Sequence, residues 1–382
     1  MVSAQTPSGG ARSITCDVFC HVIDNFGDAG VCWRLARALS TEEGFSVTLY
    51  VDRFPTLARI VEGIRPDPVP QEASGVRVLP WDECLRREPS DVVIETFGCR
   101  LPDEFEEAIA RRTASGRKVA WLNLEYLSAE DWVEECHGLP SPHPRLPVTK
   151  TFLFPGFTRR TGGVTIERGL PAARDAFTPG DRRAFLSSLG AKDPAAPFSL
   201  FFFSYPEAPV GQLARALASD ARPVQVVAAP GAASRELSDA LSSTGARHVV
   251  FSPVPAVPQQ DFDRLLWCCD ALVIRGEDSF VRAQLAQKPF LWTIYPQTEG
   301  THIVKLKAFL GRISPAFGAE DAELWSRANL AWNESSLTPE LWAGFRSRIP
   351  SLLPGFRRWE EHLESLGSLS HAVAETAKKV LK

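Results

Sequence analysis

The chain has 382 residues, with 42 Lys and Arg against 46 Asp and Glu and 44% apolar residues. That balance excludes disorder, collagen and coiled coil, and the length suits two globular cores better than one. The net charge of −4 removes the general electrostatic footprint of a nucleic-acid binder. No apolar run approaches the ~18 residues of a membrane span, so neither nucleic acid nor membrane is an expected partner.

Met1 to Thr15 is rich in Ser, Gly and Ala, carries Arg12 and lacks the apolar stretch of a signal peptide; it reads as a frayed tail. An apolar strand follows at Asp17 to Ile23, then a helix with Val31, Leu35 and Leu39 on one face, then a second strand from Phe45 to Val51. Further strands are expected at Val76 to Leu79, Val92 to Ile94 and Val119 to Leu122, with helical material between. After Phe154 the punctuated stretch Pro155-Gly156-Phe157-Thr158-Arg159-Arg160-Thr161-Gly162-Gly163 opens a connection that reaches about Pro179. The rhythm then restarts, with strands expected at Phe198 to Phe203, Val224 to Ala228, His248 to Phe251, Ala271 to Ile274 and Phe290 to Ile294. A break near Pro350 precedes a helical tail whose stripe Trp359, Leu363 and Leu366 can pack back on the first half.

This alternation argues for parallel βα units. The expected organisation is a first Rossmann-like domain at 14–157, a linker at 158–179, a second Rossmann-like domain at 180–350 and a returning helix at 355–382. By fold-level analogy that is the GT-B glycosyltransferase architecture, an α/β fold with two domains facing a central cleft. Cys16, Cys20, Cys32, Cys84, Cys99, Cys136, Cys268 and Cys269 form no C-x-x-C pair, and several lie in apolar runs as reduced thiols in a reducing cytosol do. The histidines are scattered, so no zinc site is expected.

Two loops carry candidate chemistry. Ile23-Asp24-Asn25-Phe26-Gly27-Asp28-Ala29-Gly30 leaves the first strand and opens the first helix. It is no G-x-G-x-x-G fingerprint, which removes the best support for a dinucleotide oxidoreductase. Asp28 stands where a helix cap stands, yet two acids flanking glycine at a cleft also suit a general base or a bound cation. Ile274-Arg275-Gly276-Glu277-Asp278-Ser279-Phe280 mirrors it in the second half. There the free N–H groups of a helix start, Arg275 and the Ser279 hydroxyl suit a diphosphate; a structural Arg275–Asp278 pair with a Ser279 cap is the alternative. The only D-x-D, Asp261-Phe262-Asp263, precedes the apolar Leu265-Leu266-Trp267 and reads as a helix cap rather than a metal site.

The stretches from Cys20 to Arg37 and from Arg275 to Gln284 resemble the protein-arginine rhamnosyltransferases of elongation factor P, often called EarP. Phe154-Pro155-Gly156-Phe157, Phe262 to Trp267 and Ile294-Tyr295-Pro296-Gln297 add to the resemblance. It implies an inverting, metal-independent GT-B enzyme of the bacterial cytoplasm, without cofactor, that moves L-rhamnose from dTDP-β-L-rhamnose to one arginine of elongation factor P. On the family pattern Asp28 is the general base, Asp24 its partner beside Asn25, Phe26 and Gly27, and Glu277 the third essential acid. Arg275, Asp278, Ser279 and Tyr295 hold the donor nucleotide, with Gln259 and Phe262 at its base or sugar. Relatives carry an aromatic at the position of Ala256, which makes Tyr205 the candidate to stack on the thymine. Another nucleotide-sugar transferase with a small-molecule or lipid acceptor would need one base rather than two acids. A non-catalytic nucleotide-sugar or translation-factor binding protein would need none.

Overall fold

A computed structural model describes residues 13–24, 26–296 and 300–382. The tail expected at Met1 to Thr15 lies outside them up to residue 12, and so does Asn25. The first half runs β1 (Thr15–Cys20), α1 (Phe26–Thr41), β2 (Ser46–Val51), α2 (Phe54–Ala58), β3 (Gln71–Ala73), β4 (Val76–Pro80), β5 (Val92–Thr96), α3 (Asp103–Ala114), β6 (Ala120–Leu124), α4 (Trp132–Cys136), β7 (Pro140–Pro142) and β8 (Thr149–Leu153). The second runs α5 (Leu170–Asp175), α6 (Pro179–Ser188), β9 (Ser199–Phe202), α7 (Val210–Ser219), β10 (Val224–Ala228), α8 (Ala232–Thr244), β11 (Val249–Pro253), α9 (Gln259–Trp267), β12 (Ala271–Arg275), α10 (Asp278–Leu285) and β13 (Phe290–Thr293). It is closed by α11 (Thr301–Ile313), α12 (Ala319–Asn333), α13 (Pro339–Leu366) and α14 (Leu369–Leu381).

The strands form two sheets, ordered β3-β4-β2-β1-β5-β6-β8-β7 and β11-β10-β9-β12-β13. Every pairing is parallel except the short edge strands β3 and β7. Helices cover both faces, which is why β5, β6, β9 and β10 are mostly apolar and buried from end to end. In the first sheet β1 lies between β2 and β5; in the second β9 lies between β10 and β12. Those are the points where strand order reverses, and open α/β sheets bind ligands beyond the strand ends there. The eight cysteines are unpaired, and all but Cys136 are buried.

The tail departs from the expected break at Pro350. α13 continues through both Pro350 and Pro354 to Leu366. Each proline removes a backbone hydrogen bond. Against that loss, Phe345, Ile349, Leu352, Phe356, Trp359 and Leu363 all bury in the core of the second half. The crossing is made later and by α14, whose Leu369, Val373, Ala374 and Ala377 join the core of the first half. Outgoing and returning chains meet where Leu369 N–H donates to Val164 O at 2.9 Å. A Cβ on Gly163 (φ +70) would lie 2.6 Å from the Gly367 carbonyl oxygen, so only glycine permits this crossing.

A buried ion cluster joins the halves across the cleft floor. Arg34 of α1 is 1% exposed. Its Nε donates to Asp278 Oδ1 at 2.8 Å, and its Nη1 to Glu167 Oε1 at 2.7 Å and Asp263 Oδ2 at 3.2 Å. Arg282 of α10 donates to Asp263 Oδ1 and Glu167 Oε2, both at 2.6 Å, and Arg37 reaches Glu167 at 3.1 Å. Burial alone would raise the Glu167 carboxyl, but Arg282 and Arg34 hold it far below the usual carboxylate range. A carboxyl so depressed contributes stability above its ordinary value of about 4.3, and loses it as pH falls toward the folded value. Removing one partner of such a cluster strands the others without compensation, a cost of about 3–5 kcal/mol. Arg34→Ala is therefore expected to lower the urea midpoint strongly at pH 7 and much less below pH ~4, where the carboxyls protonate in the unfolded chain. Equal midpoints for variant and parent at pH 7 would contradict this.

Candidate active site between the two switch-point loops

The acid loop is built by its own backbone. Gly27 N–H, in the first turn of α1, donates to Asp24 O at 2.7 Å. Asp28, the third residue of α1, reaches back so that its Oδ2 accepts the N–H groups of Ile23 and Asp24, each at 2.8 Å. This holds the loop as a capping acid does. Asp28 is 3% exposed, whereas Asp24 is half-buried and faces the cleft.

The opposite loop comes from β12. Gly276 (φ +63) turns the chain, and a Cβ there would lie 3.0 Å from Asp24 Oδ2 and 3.2 Å from the Tyr205 hydroxyl. Trp292 Nε1 donates to Gly276 O at 2.9 Å and pins the turn. The Arg275 guanidinium lies 4.5 Å from both the Phe203 and the Tyr205 ring. The Ser279 hydroxyl donates to Arg275 O. Tyr205 Oη donates to Asp24 Oδ2 at 2.7 Å, a direct bond between the halves.

Between the loops lies a cavity of about 520 Å³, of the size that small-molecule sites have. Of the residues expected from sequence it gathers Asp24, Phe26, Gly27, Gln259, Phe262, Arg275, Asp278 and Ser279. Its lining combines apolar side chains, Phe203, Ala229, Pro255, Ala256, Val257 and Phe262, with Arg275 and the start of α10. Gln259 Nε2 donates to Gly30 O at 2.9 Å and to Asp278 Oδ2 at 3.2 Å. The cavity lining does not include Asp28, Glu277, Tyr205 or Tyr295. Tyr295 is 51% exposed and stands edge-on to Tyr205, with ring centroids 5.5 Å apart.

Two expectations change. Tyr205 was the candidate to stack on a base, but one ring face is taken by Arg275 and its hydroxyl by Asp24. The aromatics that line the cavity are Phe26, Phe203 and Phe262, and of these Phe203 too lies under the Arg275 guanidinium. Asp261 and Asp263 do not cap a helix at Leu265: α9 already starts at Gln259, with Pro258 in the cap position. Asp261 pairs with Arg264 at 3.1 Å, and both Asp263 oxygens are held by arginines. Among the described residues no group of three or more His, Cys, Asp or Glu side chains is placed to hold a metal ion. Residues that sequence reasoning passed over include Arg34, which lies inside a matching stretch, and Arg59 and Ile60, which line the cavity from the end of α2.

The acids share one electrostatic character. Burial raises Asp24, opposed by the Tyr205 bond and by Arg275. Burial raises Asp28, opposed by the backbone N–H groups of Asp24 and Ile23, by His21 and by the nearby Tyr126. Burial pushes Glu277 up to about 8, with the charge of Asp28 adding to it. Glu277 starts on the second half, yet its Oε2 accepts Leu127 N–H of the first half at 3.0 Å. Asp24 and Asp28, lifted in this way, are stronger proton acceptors than free carboxylates, whereas Glu277 already carries its proton below about 8.

Two Rossmann-like layers with a ligand cavity at both switch points define the GT-B glycosyltransferase fold. MurG of Acinetobacter baumannii shares that fold at a TM-score of 0.50 and 12% identity, covering 96% of this chain and 99% of that one. Residues 16–378 match the model of the Elongation-Factor P (EF-P) rhamnosyltransferase EarP. A protein-arginine rhamnosyltransferase of Pseudomonas putida is 41% identical over 90% of this chain and 93% of its own length. A solved structure described as the structural basis for EarP-mediated arginine glycosylation of translation elongation factor EF-P superposes at a TM-score of 0.66. It is 28% identical and covers 96% of this chain and 99% of that one. The chain belongs to the EarP family of rhamnosyltransferases.

The raised Glu277 carboxyl carries a stability prediction. The folded state keeps its proton up to about 8, while an unfolded Glu releases it near pH ~4.3. Stability is therefore lost as pH rises between those values. Glu277→Gln, which cannot ionise, is expected to gain urea resistance over the parent progressively from pH 5 to pH 8. A difference independent of pH would show that Glu277 is ionised in the native protein.

Proposed function

We propose that this chain transfers L-rhamnose from dTDP-β-L-rhamnose to one arginine side chain of elongation factor P, with inversion at the sugar and without a metal ion. The observation that carries this reading is the arrangement of the cleft: the raised acids Asp24 and Asp28 on the first half face Arg275, the raised Glu277 and the N-terminus of α10 on the second. Arg275, Ser279 and the first N–H groups of α10 take the diphosphate. The apolar part of the lining around Phe262 takes the base, and Gln259 and Asp278 flank the sugar.

The acceptor guanidinium is protonated, with a pKa above about 12, and is a poor nucleophile until it loses a proton. Asp24 orients it, and Asp28 accepts the proton as one nitrogen bonds to the anomeric carbon. The bond from that carbon to the diphosphate oxygen breaks, and dTDP leaves with the electron pair. Arg275 and the helix end stabilise the charge that gathers on the leaving diphosphate. Glu277 positions the sugar or the loops around it.

Incubation with elongation factor P and dTDP-rhamnose, read by intact mass and peptide mapping, is expected to add one deoxyhexose to one arginine. The yield should be the same in excess EDTA. Absence of the adduct would refute the donor or acceptor assignment, and loss on chelation restored by Mg²⁺ would refute metal independence. Asp28→Asn should cut the rate by about 10²–10⁴-fold, as loss of a general base does, while dTDP affinity by calorimetry stays near the parent's. A variant that keeps most of its rate would move the base elsewhere.

A further inference from the structure

We infer that Arg59, at the end of α2, is a donor-binding residue that reaches the diphosphate from the first half, opposite Arg275. The inference rests on the reading of the cavity as the dTDP-rhamnose site and adds to it a contact from the half that carries Asp24 and Asp28. Arg59 and Arg275 are the two cationic residues among those that line the cavity. They come from different halves, Arg275 from the end of β12 and Arg59 from the turn that closes α2.

The local sequence turns Arg59 away from the core. Phe54, Leu57 and Val61 bury in the core of the first half, and Leu57 and Val61, four apart, share one face of the turn. Arg59 stands two residues from each, so its side chain leaves on the opposite face, and it is exposed. The backbone beneath it is fixed. Arg59 N–H donates to Thr56 O at 3.3 Å, and the N–H groups of Ile60 and Val61 donate to Leu57 O at 3.0 and 2.9 Å. The same turn is tied to the second half. Gln259 N–H donates to Ile60 O at 2.7 Å, and Gln260 Nε2 donates to Glu62 Oε2 at 2.7 Å. Gln259 in turn donates to Asp278, the first residue of α10, at 3.2 Å. Arg59 is therefore one residue from a run of bonds that ends at the helix start assigned to the diphosphate.

Its charge has no counterpart in the protein. No described residue pairs with the Arg59 guanidinium or accepts a hydrogen bond from it. The two acids of the cavity lining are engaged elsewhere, Asp278 by Arg34 and Gln259 and Asp24 by Tyr205. A nucleoside diphosphate carries more than one negative charge, and from the second half the lining offers it one arginine and a helix end. A second guanidinium fork from across the cleft matches the remaining phosphate oxygens. The base is uncharged, so the diphosphate is the part of the donor that draws a cation. A cation at a helix C-terminus can also serve its helix alone. That role would move stability and leave ligand binding untouched.

The test is calorimetry on the full chain with dTDP and with thymidine, for the parent, Arg59→Ala and Arg53→Ala, beside urea unfolding of the same proteins. Arg53 is exposed at the other end of α2 and does not line the cavity, so its loss changes the net charge equally. Arg59→Ala is expected to weaken dTDP about tenfold or more, the worth of a hydrogen bond to a charged group. Its thymidine affinity and urea midpoint should stay near the parent's, and its dTDP binding should depend less on salt. Arg53→Ala should bind both ligands as the parent does. Unchanged dTDP affinity in Arg59→Ala, beside a parent that binds dTDP, would overturn this inference and leave the function standing. Equal losses for dTDP and thymidine would overturn the diphosphate contact, and an equal loss in Arg53→Ala would reduce Arg59 to a share of the general field and overturn it as well. A parent that does not bind dTDP would remove the donor reading and this inference with it.

Discussion

Arg34 sits on the same helix as Asp28 and bonds to Asp278, the first residue of α10. Through that ion pair the helix that carries the acid is fixed to the helix whose N-terminus faces the cavity. Burying such charges is costly, and the cost is offset only when every charge finds partners. Here Arg34, Arg37 and Arg282 meet Glu167, Asp263 and Asp278, three charges of each sign. Glu167 belongs to the connecting segment, so the cluster ties the connection, the acid loop and the phosphate loop into one unit. The width of the cleft follows from this arrangement.

Contacts higher in the cleft depend on that closeness. Gly276 has no Cβ where Asp24 and Tyr205 approach, and Tyr205 and Asp24 then bond directly across the halves. Leu127 reaches Glu277, and Gln259 reaches Gly30. These contacts bury the acids and lift them above their ordinary range, since burial is the first cause for Asp24, Asp28 and Glu277 alike. The same geometry that positions the groups therefore sets their proton affinity.

The βα rhythm was legible because parallel strands buried on both faces read as continuous apolar runs. β8 escaped notice because it lies toward the margin of the sheet, with Thr149 exposed and Lys150 and Thr151 only partly buried. Pro350 suggested a break, but an aromatic core outweighed the propensity of one residue. The two loops were legible through their glycines and charges at strand ends. The partners of those charges were not, because Arg34 and Glu167 gain their roles only when distant segments meet. Tyr205 shows the same limit: sequence gives an aromatic near the site, and only the fold says that its hydroxyl rather than its face is the working end.

The central claim is that an ion cluster already holds the acid loop at working distance from the diphosphate site. A crystal structure with dTDP bound tests it most directly. The account predicts diphosphate oxygens on Arg275 and on the first N–H groups of α10, with the Arg34–Asp278 and Arg282–Asp263 pairs intact. A diphosphate bound elsewhere, or those pairs broken and the two halves rotated apart, would contradict it.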